Sequence, residues 1–187
     1  DELPDVVQDR LLARGRTLAV AESCTAGLLG GALTAAAGSS GFFLGGVLAY
    51  ADRIKRDLLG VGADLLERHG AVSEPVARAM AAGCRGQLGA DYGLAVTGIS
   101  GPGGGTVAKP VGTTWIAVSS PATVFAVGYR FPADRARNRA LAVAAAIDIL
   151  RRILDTGDTV PPYRDADSWC IAAGRTGPGA SPAPRGQ

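Results

Sequence analysis

Ser23, Cys24 and Thr25 stand side by side in "AESCTAGLLGGALT" (residues 21–34), directly after the apolar run "RTLAVA". That run predicts a short buried strand at about 17–21, and the small residues after it predict a helix at about 25–36. A hydroxyl and a thiol where a strand turns into a helix fit three roles. They can be a nucleophile, part of an anion cradle built on unpaired amides, or a helix cap, which is the commonest use of Ser and Thr at such a place. Cys24 is the rival nucleophile, because thiolates are intrinsically more reactive. Adjacent side chains cannot both enter one site, however, and a cysteine mechanism usually recruits a histidine. We therefore read Cys24 as packed, which leaves Ser23 either as the candidate nucleophile or, the commoner use in this local pattern, as part of a helix cap.

A serine nucleophile needs a base. The only histidine, His69, lies in "LERHGAVSEP", where a basic ring beside a glycine suits the negative end of a helix. A zinc site built on histidines is therefore excluded, and the base is sought elsewhere. Lys55 in "YADRIKRDLLG" has Arg53 and Arg56 as cationic neighbours. A lysine serves as a base only when burial or nearby cations bring it well below about 10.4; otherwise it belongs to a solvated helix face. Tyr50, ending a second strand, is placed either to hydrogen-bond a Ser–Lys pair or stack on a ring, or simply to pack.

"TGISGPGGG" follows a third strand. It lacks the G-K-[ST] ending of a P-loop and the acidic partner of a dinucleotide fingerprint. Gly98, Gly101, Gly103 and Gly104 would let backbone amides approach a phosphate or an amide, or else form a plain flexible loop. The entrance of the second helix, at Cys24, Thr25 and Gly27, is another place with free amides. Arg135 and Arg139, one helical turn apart, could hold a phosphate or face a partner subunit.

The elements that must position these groups follow from periodicity. "PDVVQDRLLARG" puts Val6, Val7, Leu11 and Leu12 on one helical face and stops at Gly15. "GFFLGGVLAY" reads as a glycine-kinked strand, "DRIKRDLLG" and "ADLLERHG" as short helical pieces. "SEPVARAMAAGCRGQLG" is a helix capped by Ser73, with Val76, Met80, Cys84 and Leu88 sharing a face. "DYGLAVTG", "TTWIAVSS" and "TVFAVGYRF" are strands, the last two a hairpin, and Asp134 caps a final helix running to about Leu154. The pattern predicts an α/β fold, a three-layer α/β/α sandwich around a mixed, mostly parallel sheet of about five strands. One domain is expected at 1–155. A Pro/Gly-rich extension follows at 156–187, read as disordered from about 174.

Composition sets the outer bounds. The chain is 47% hydrophobic but only 5% aromatic, so its core is built from Ala, Val, Leu and Ile, with 27 glycines allowing close backbone contact. Nineteen basic against 17 acidic residues leave +2, which implies no nucleic-acid or membrane partner. No apolar run approaches a membrane span, and the start is not a signal peptide. The initial Asp leads us to expect missing leading residues or a preceding domain. Cys24, Cys84 and Cys170 form neither a disulfide framework nor a metal pair, and a reducing cytoplasm is the expected compartment.

Seven blocks, "AESCTAGLLGGALT", "GSS", "GGVLAYADRIKRDLLGV", "HGAVSEPVARAMA", "DYGLAVTGISGPGGG", "KPVGTTWIAV" and "FPADRARNRALAVAAA", occur in an order and spacing that resemble the C-terminal domain of the CinA family over about residues 3–154. Stand-alone relatives in that family are nicotinamide mononucleotide amidohydrolases. The resemblance implies hydrolysis of that nucleotide's carboxamide to nicotinate mononucleotide and ammonia, with no metal or cofactor. It assigns Ser23 as nucleophile and Lys55 as base, with Tyr50 and Thr97 in the same site. The chain is then expected to be a homo-oligomer, a dimer by preference, with a small nucleotide as substrate. A nucleotide-binding regulatory module without chemistry is the alternative. The sequence departs from the family pattern where Ala26 replaces a glycine, Ala51-Asp52 replaces Ser-Asn, Ser100 replaces an alanine, and Ala133 replaces a glycine. Ala26 and Asp52 bear on substrate fit.

Overall fold

The computed structural model describes residues 2–159. Cys170 and the expected disorder from about 174 lie outside them. In chain order the elements are α1 (Leu3–Ala13), β1 (Leu18–Glu22), α2 (Leu28–Leu33), β2 (Phe43–Leu48), α3 (Asp52–Leu59), α4 (Ala63–His69), α5 (Glu74–Leu88), β3 (Tyr92–Gly98), β4 (Thr113–Ser119), β5 (Val124–Arg130) and α6 (Arg135–Asp155). The sheet order is β2-β1-β3-β4-β5. β1 pairs in parallel with both β2 and β3, whereas β3–β4 and β4–β5 are antiparallel. The α/β sandwich with a five-stranded mixed sheet is therefore as expected, its parallel part confined to the first three strands.

The two faces of the sheet differ in side-chain size. Strand side chains alternate in direction, and the strands read Leu-Ala-Val-Ala in β1, Leu-Ala-Val in β3, Ile-Ala-Val in β4 and Phe-Ala-Val in β5. Leu18, Val20, Leu94, Val96, Ile116, Val118, Phe125 and Val127 meet α1, α2 and α6 on one side. Ala19, Ala21, Ala95, Ala117 and Ala126 form the other side, against Val76, Ala77, Met80, Ala81 and Cys84 of α5. With only methyls in between, α5 lies almost on the sheet backbone. A Cβ on Gly93 would sit 2.1 Å from the Ala81 carbonyl oxygen, so that position has room for glycine alone. This is where the excess of Ala and Gly goes.

Several boundaries differ from the sequence expectation. In α1, Val7 and Leu11 are fully buried, one turn apart, but Leu12 points outward because α1 has a single neighbouring layer, chiefly α6. Ser73 precedes α5 but makes no side-chain cap; its hydroxyl donates to the Gly70 carbonyl at 2.8 Å. The helix expected at 25–36 spans only Leu28–Leu33, because residues 25–27 form a turn instead. Asp134 does cap α6, accepting from the Arg137 amide at 2.9 Å.

At the opposite end of the sheet from Ser23, Asp91 ties the start of β3 to the start of β1. Its carboxylate accepts from the Thr17 amide at 2.9 Å, the Thr17 hydroxyl at 3.0 Å and Arg16 at 2.6 Å. Partial burial alone would push this carboxyl up, but the Thr17 amide, the Arg16 guanidinium and the Thr17 hydroxyl hold it below the usual carboxylate range. A depressed folded value means that the stabilisation is present above the unfolded value of about 3.9 and is lost as pH falls through the folded one. We expect Asp91→Asn to lower stability at pH 7 by about 1–2 kcal/mol, allowing for solvent screening of this partly exposed group. Denaturant melts at pH 7 and pH 3 check this, since the gap between variant and wild type has to narrow in acid.

Candidate functional site

The first three strands run in parallel, so their carboxyl ends lie together. From the end of β1 the chain passes through α2 on the large-residue face to β2, and from β2 it passes through α3–α5 on the alanine face to β3. Connections that leave to opposite faces open a crevice at the carboxyl edge, where open α/β sheets bind ligands. A cavity of about 280 Å³ lies there, lined by Ser23, Cys24, Tyr50, Asp52, Lys55, Thr97 and Arg135 together with residues 71–72, 98–101, 103 and 104. This is near the lower end of small-molecule sites, roughly 300–1,000 Å³, and suits one ring or headgroup.

Ser23 is the first residue after β1, and its amide donates to the Val96 carbonyl at 3.0 Å, continuing the β1–β3 ladder by one residue. Its hydroxyl carries no hydrogen bond among the described residues. Lys55 sits on α3 and is only 1% exposed. Its ammonium donates to the Tyr50 carbonyl at 3.1 Å and to Asp52 Oδ1 at 3.3 Å. Thr97, fully buried near the end of β3, donates from its hydroxyl to the Ala71 carbonyl at 2.9 Å. That bond spends the hydroxyl's one proton and leaves its lone pairs as acceptors. Tyr50 is 60% exposed at the cavity rim, and its hydroxyl accepts from Arg135 at 3.3 Å. Arg135 also donates to the Gly101 carbonyl at 2.9 Å, joining the glycine loop to the opposite rim.

The structure therefore brings Ser23, Tyr50, Lys55, Thr97, Gly98, Gly101, Gly103, Gly104 and Arg135 to one cavity. Gly98 is required by close packing, because a Cβ there would lie 2.8 Å from Thr114 Oγ1 and 3.1 Å from Cys24 Sγ. Cys24 borders the cavity but belongs to the core beneath it. Burial pushes its thiol up, against the Ser100 hydroxyl and the Arg139 charge, so a thiolate is disfavoured. His69 ends α4, is exposed, and does not line the cavity.

Three of the expected binding groups lie elsewhere. Thr25 is fully buried and does not reach the cavity. The Gly27 amide is taken by Glu22 at 2.9 Å, as are those of Leu29 at 3.1 Å and Gly30 at 2.8 Å. The entrance of α2 is thus already filled by the protein's own carboxylate. Arg139 does not face the cavity either; it donates to the carbonyls of Cys24 at 3.0 Å and Thr25 at 2.8 Å.

Two functional residues escape a reading of the sequence. Glu22 is 1% exposed and reaches five to eight residues along the chain, beyond any capping-box spacing. Asn138, equally buried, donates to the carbonyls of Ser100 at 3.1 Å and Ala133 at 2.8 Å, anchoring the glycine loop to α6. Its one signal is a neutral amide in the basic run "DRARNRA".

A five-stranded mixed sheet between helical layers, with a serine and a buried lysine in the crevice at its parallel carboxyl edge, defines the class: an α/β protein with a cavity at a strand switch point. The family model described as the CinA C-terminal domain matches residues 1–154, and the chain belongs to that family. It is similar to a "CinA-like protein" from Synechococcus, 55% identical over 153 residues, which are 81% of this chain and 37% of that one. Another "CinA-like protein", from Anaeromyxobacter dehalogenans, is 51% identical over 154 residues, 82% of this chain and 38% of the relative. The chain thus spans little more than a third of the length of these curated relatives. Among solved structures, a competence-damaged protein (CinA) superfamily member from Klebsiella pneumoniae aligns with TM-score 0.79 and 38% identity over 82% of this chain and 96% of that one. A competence/damage inducible protein from Agrobacterium tumefaciens gives TM-score 0.76 and 37% identity over 83% and 97%.

Ala26 stands where the family resemblance places glycine, and its φ of 48° is left-handed. A non-glycine residue there costs about 1–2 kcal/mol, partly offset by the greater unfolded-state entropy of glycine. Ala26→Gly is therefore expected to raise stability by about 0.5–1 kcal/mol. A thermal melt checks this: a lower Tm would mean that the turn relaxes around Ala26 without strain.

Proposed function

We propose that this chain is an amidohydrolase acting on a small carboxamide, with nicotinamide mononucleotide as the substrate that the family resemblance favours. The observation that carries the reading is that Ser23 and an almost fully buried lysine line the same cavity. In this scheme neutral Lys55 takes the Ser23 proton as Ser23 Oγ attacks the carboxamide carbon. The Cys24 amide, which carries no backbone hydrogen bond among the described residues, receives the oxyanion. Lys55 returns the proton to the nitrogen, the C–N bond breaks and ammonia leaves. Water, giving a proton to Lys55, then attacks the acyl-serine; the ester C–O bond breaks, Lys55 passes that proton to Ser23 Oγ, and the carboxylic acid leaves. Thr97 accepts from the substrate NH₂, and Tyr50 packs on the ring. Lys55 Nζ donates to the Tyr50 carbonyl and to Asp52, so in this scheme it swings from them to Ser23 as the catalytic hydrogen bond forms.

That orientation also favours a second reading, in which the cavity binds a nucleotide and does no chemistry. Ammonia release from nicotinamide mononucleotide separates the two. We expect Ser23→Ala to keep its fold and lose at least ~10³-fold in kcat, and Lys55→Arg, which keeps the charge but cannot deprotonate, to be nearly inactive. A Ser23→Ala protein retaining a tenth of the activity would remove Ser23 as the nucleophile.

With Arg139 and the α2 entrance engaged inside the protein, Arg135 and the glycine loop are the groups left for the substrate's phosphate. One charge-assisted contact contributes about 1.5–3 kcal/mol, or roughly 10–10² in kcat/KM. The mononucleotide should exceed its riboside by about that factor, and Arg135→Ala should narrow the gap by slowing the mononucleotide alone. Equal rates on both substrates in the wild type would mean that no phosphate is recognised.

A further inference from the structure

We infer that Glu22 is a positioning residue for Ser23: its buried carboxylate holds the turn that carries the nucleophile. This rests on the amidase reading only for the rate it affects; the holding of the turn stands apart from it. The turn 23–27 has no regular secondary structure to fix it. It is instead gripped on two sides. Glu22, inside the protein, accepts the amides of Gly27, Leu29 and Gly30. Arg139, from α6, donates to the carbonyls of Cys24 and Thr25. In a trans peptide the N–H and C=O point opposite ways, so the carbonyls drawn toward Arg139 turn the Thr25 and Ala26 amides to the other side. Acid and base act on opposite edges of the segment 24–30, Arg139 on its first residues and Glu22 on Gly27 and the start of α2, and neither side chain lines the cavity.

Glu22 also follows directly from the geometry of β1. Its own carbonyl still accepts from the Ala49 amide at 2.8 Å, so the backbone of residue 22 is locked in the sheet while its side chain reaches forward to α2. The link from rigid strand to short helix thus passes through one carboxylate, bypassing the turn. Without it the turn would rest on Arg139, on the Ser23–Val96 hydrogen bond, and on the bonds from the Leu28 amide to the Thr25 carbonyl and from the Gly31 amide to the Gly27 carbonyl. A shift on the order of 1 Å in a reacting group costs about 10² in rate.

The test uses Glu22→Gln, which preserves shape but removes the charge and one acceptor oxygen, and Glu22→Asp, which keeps the charge but is one methylene short. Both are expected to lower kcat for ammonia release by about 10–10²-fold while KM stays within ~3-fold. Amide exchange at residues 24–27 should become at least ~10-fold faster, with β3 and α5 unchanged, which separates local loosening from global unfolding. Wild-type kcat in either variant, or unaltered exchange at 24–27, would overturn the inference, even if Tm fell. If the wild type releases no ammonia the amidase reading fails, and exchange alone still decides whether Glu22 holds the turn. Should both Glu22 variants fail to fold, Arg139→Lys, which loosens the same turn from its carbonyl side, has to reproduce the selective loss of kcat and the faster exchange.

Discussion

Everything at the site depends on β1 being the central strand of three parallel ones. Parallel pairing with β2 on one side and β3 on the other puts the carboxyl ends of all three at one edge, and the chain must leave β1 and β2 toward opposite faces of the sheet. Ser23, Tyr50 and Thr97 each follow or end one of those strands, so the topology gathers them although they are far apart in sequence. Lys55 comes with Tyr50, because α3 begins two residues after it and brings the lysine back beneath the tyrosine's own carbonyl. The antiparallel half, β4 and β5, contributes support: it flanks Gly98 and leads into α6, whose first turns supply Arg135, Asn138 and Arg139.

Charge inside this edge is spent mostly on backbone. Glu22 is bound to amides, Arg139 to carbonyls, and Arg135 to a carbonyl and a phenol. Such pairings compensate the desolvation of charged groups without using a second buried ion, and they fix loops that have no ladder of their own. The Lys55–Asp52 pair is different in kind. Lys55 is enclosed while Asp52 is 61% exposed, so the pair joins the cavity interior to solvent. The family resemblance has an asparagine where this chain has Asp52, which makes this the one place where the described cavity carries an added negative charge beside the candidate base.

Periodicity exposed the elements well because each large-residue and alanine stretch keeps its period against a distinct layer. "LAVA", "LAV", "IAV" and "FAV" are strands by alternation alone, and the Val76–Met80–Cys84 stripe of α5 is helical by the same logic. The α2 boundary was not legible, since small residues are compatible with helix at 25–27; only the Glu22 carboxylate, by claiming the amides of Gly27 and beyond, moves the start to Leu28. Ser23, Lys55, Tyr50 and Thr97 were picked out by motif, and the fold brings them together. The role of Arg139 is not legible for a physical reason: spacing along a helix tells which face a guanidinium leaves from but not whether a backbone carbonyl or a ligand meets it there.

The turn that bears Ser23 is held at some cost. Ala26 sits in a conformation suited to glycine, and Thr25 is buried with its hydroxyl unpartnered among the described residues. Both are unfavourable for stability, and both lie within three residues of the candidate nucleophile. They persist because Arg139 holds two carbonyls of the turn while Glu22 ties its last residue, Gly27, and the start of α2 to β1. A loop so constrained cannot relax toward a better backbone without giving up several charge-assisted bonds together. The same constraint keeps Ser23 in line with the β1–β3 ladder, so the order that opposes stability locally is the order a covalent mechanism requires of its nucleophile.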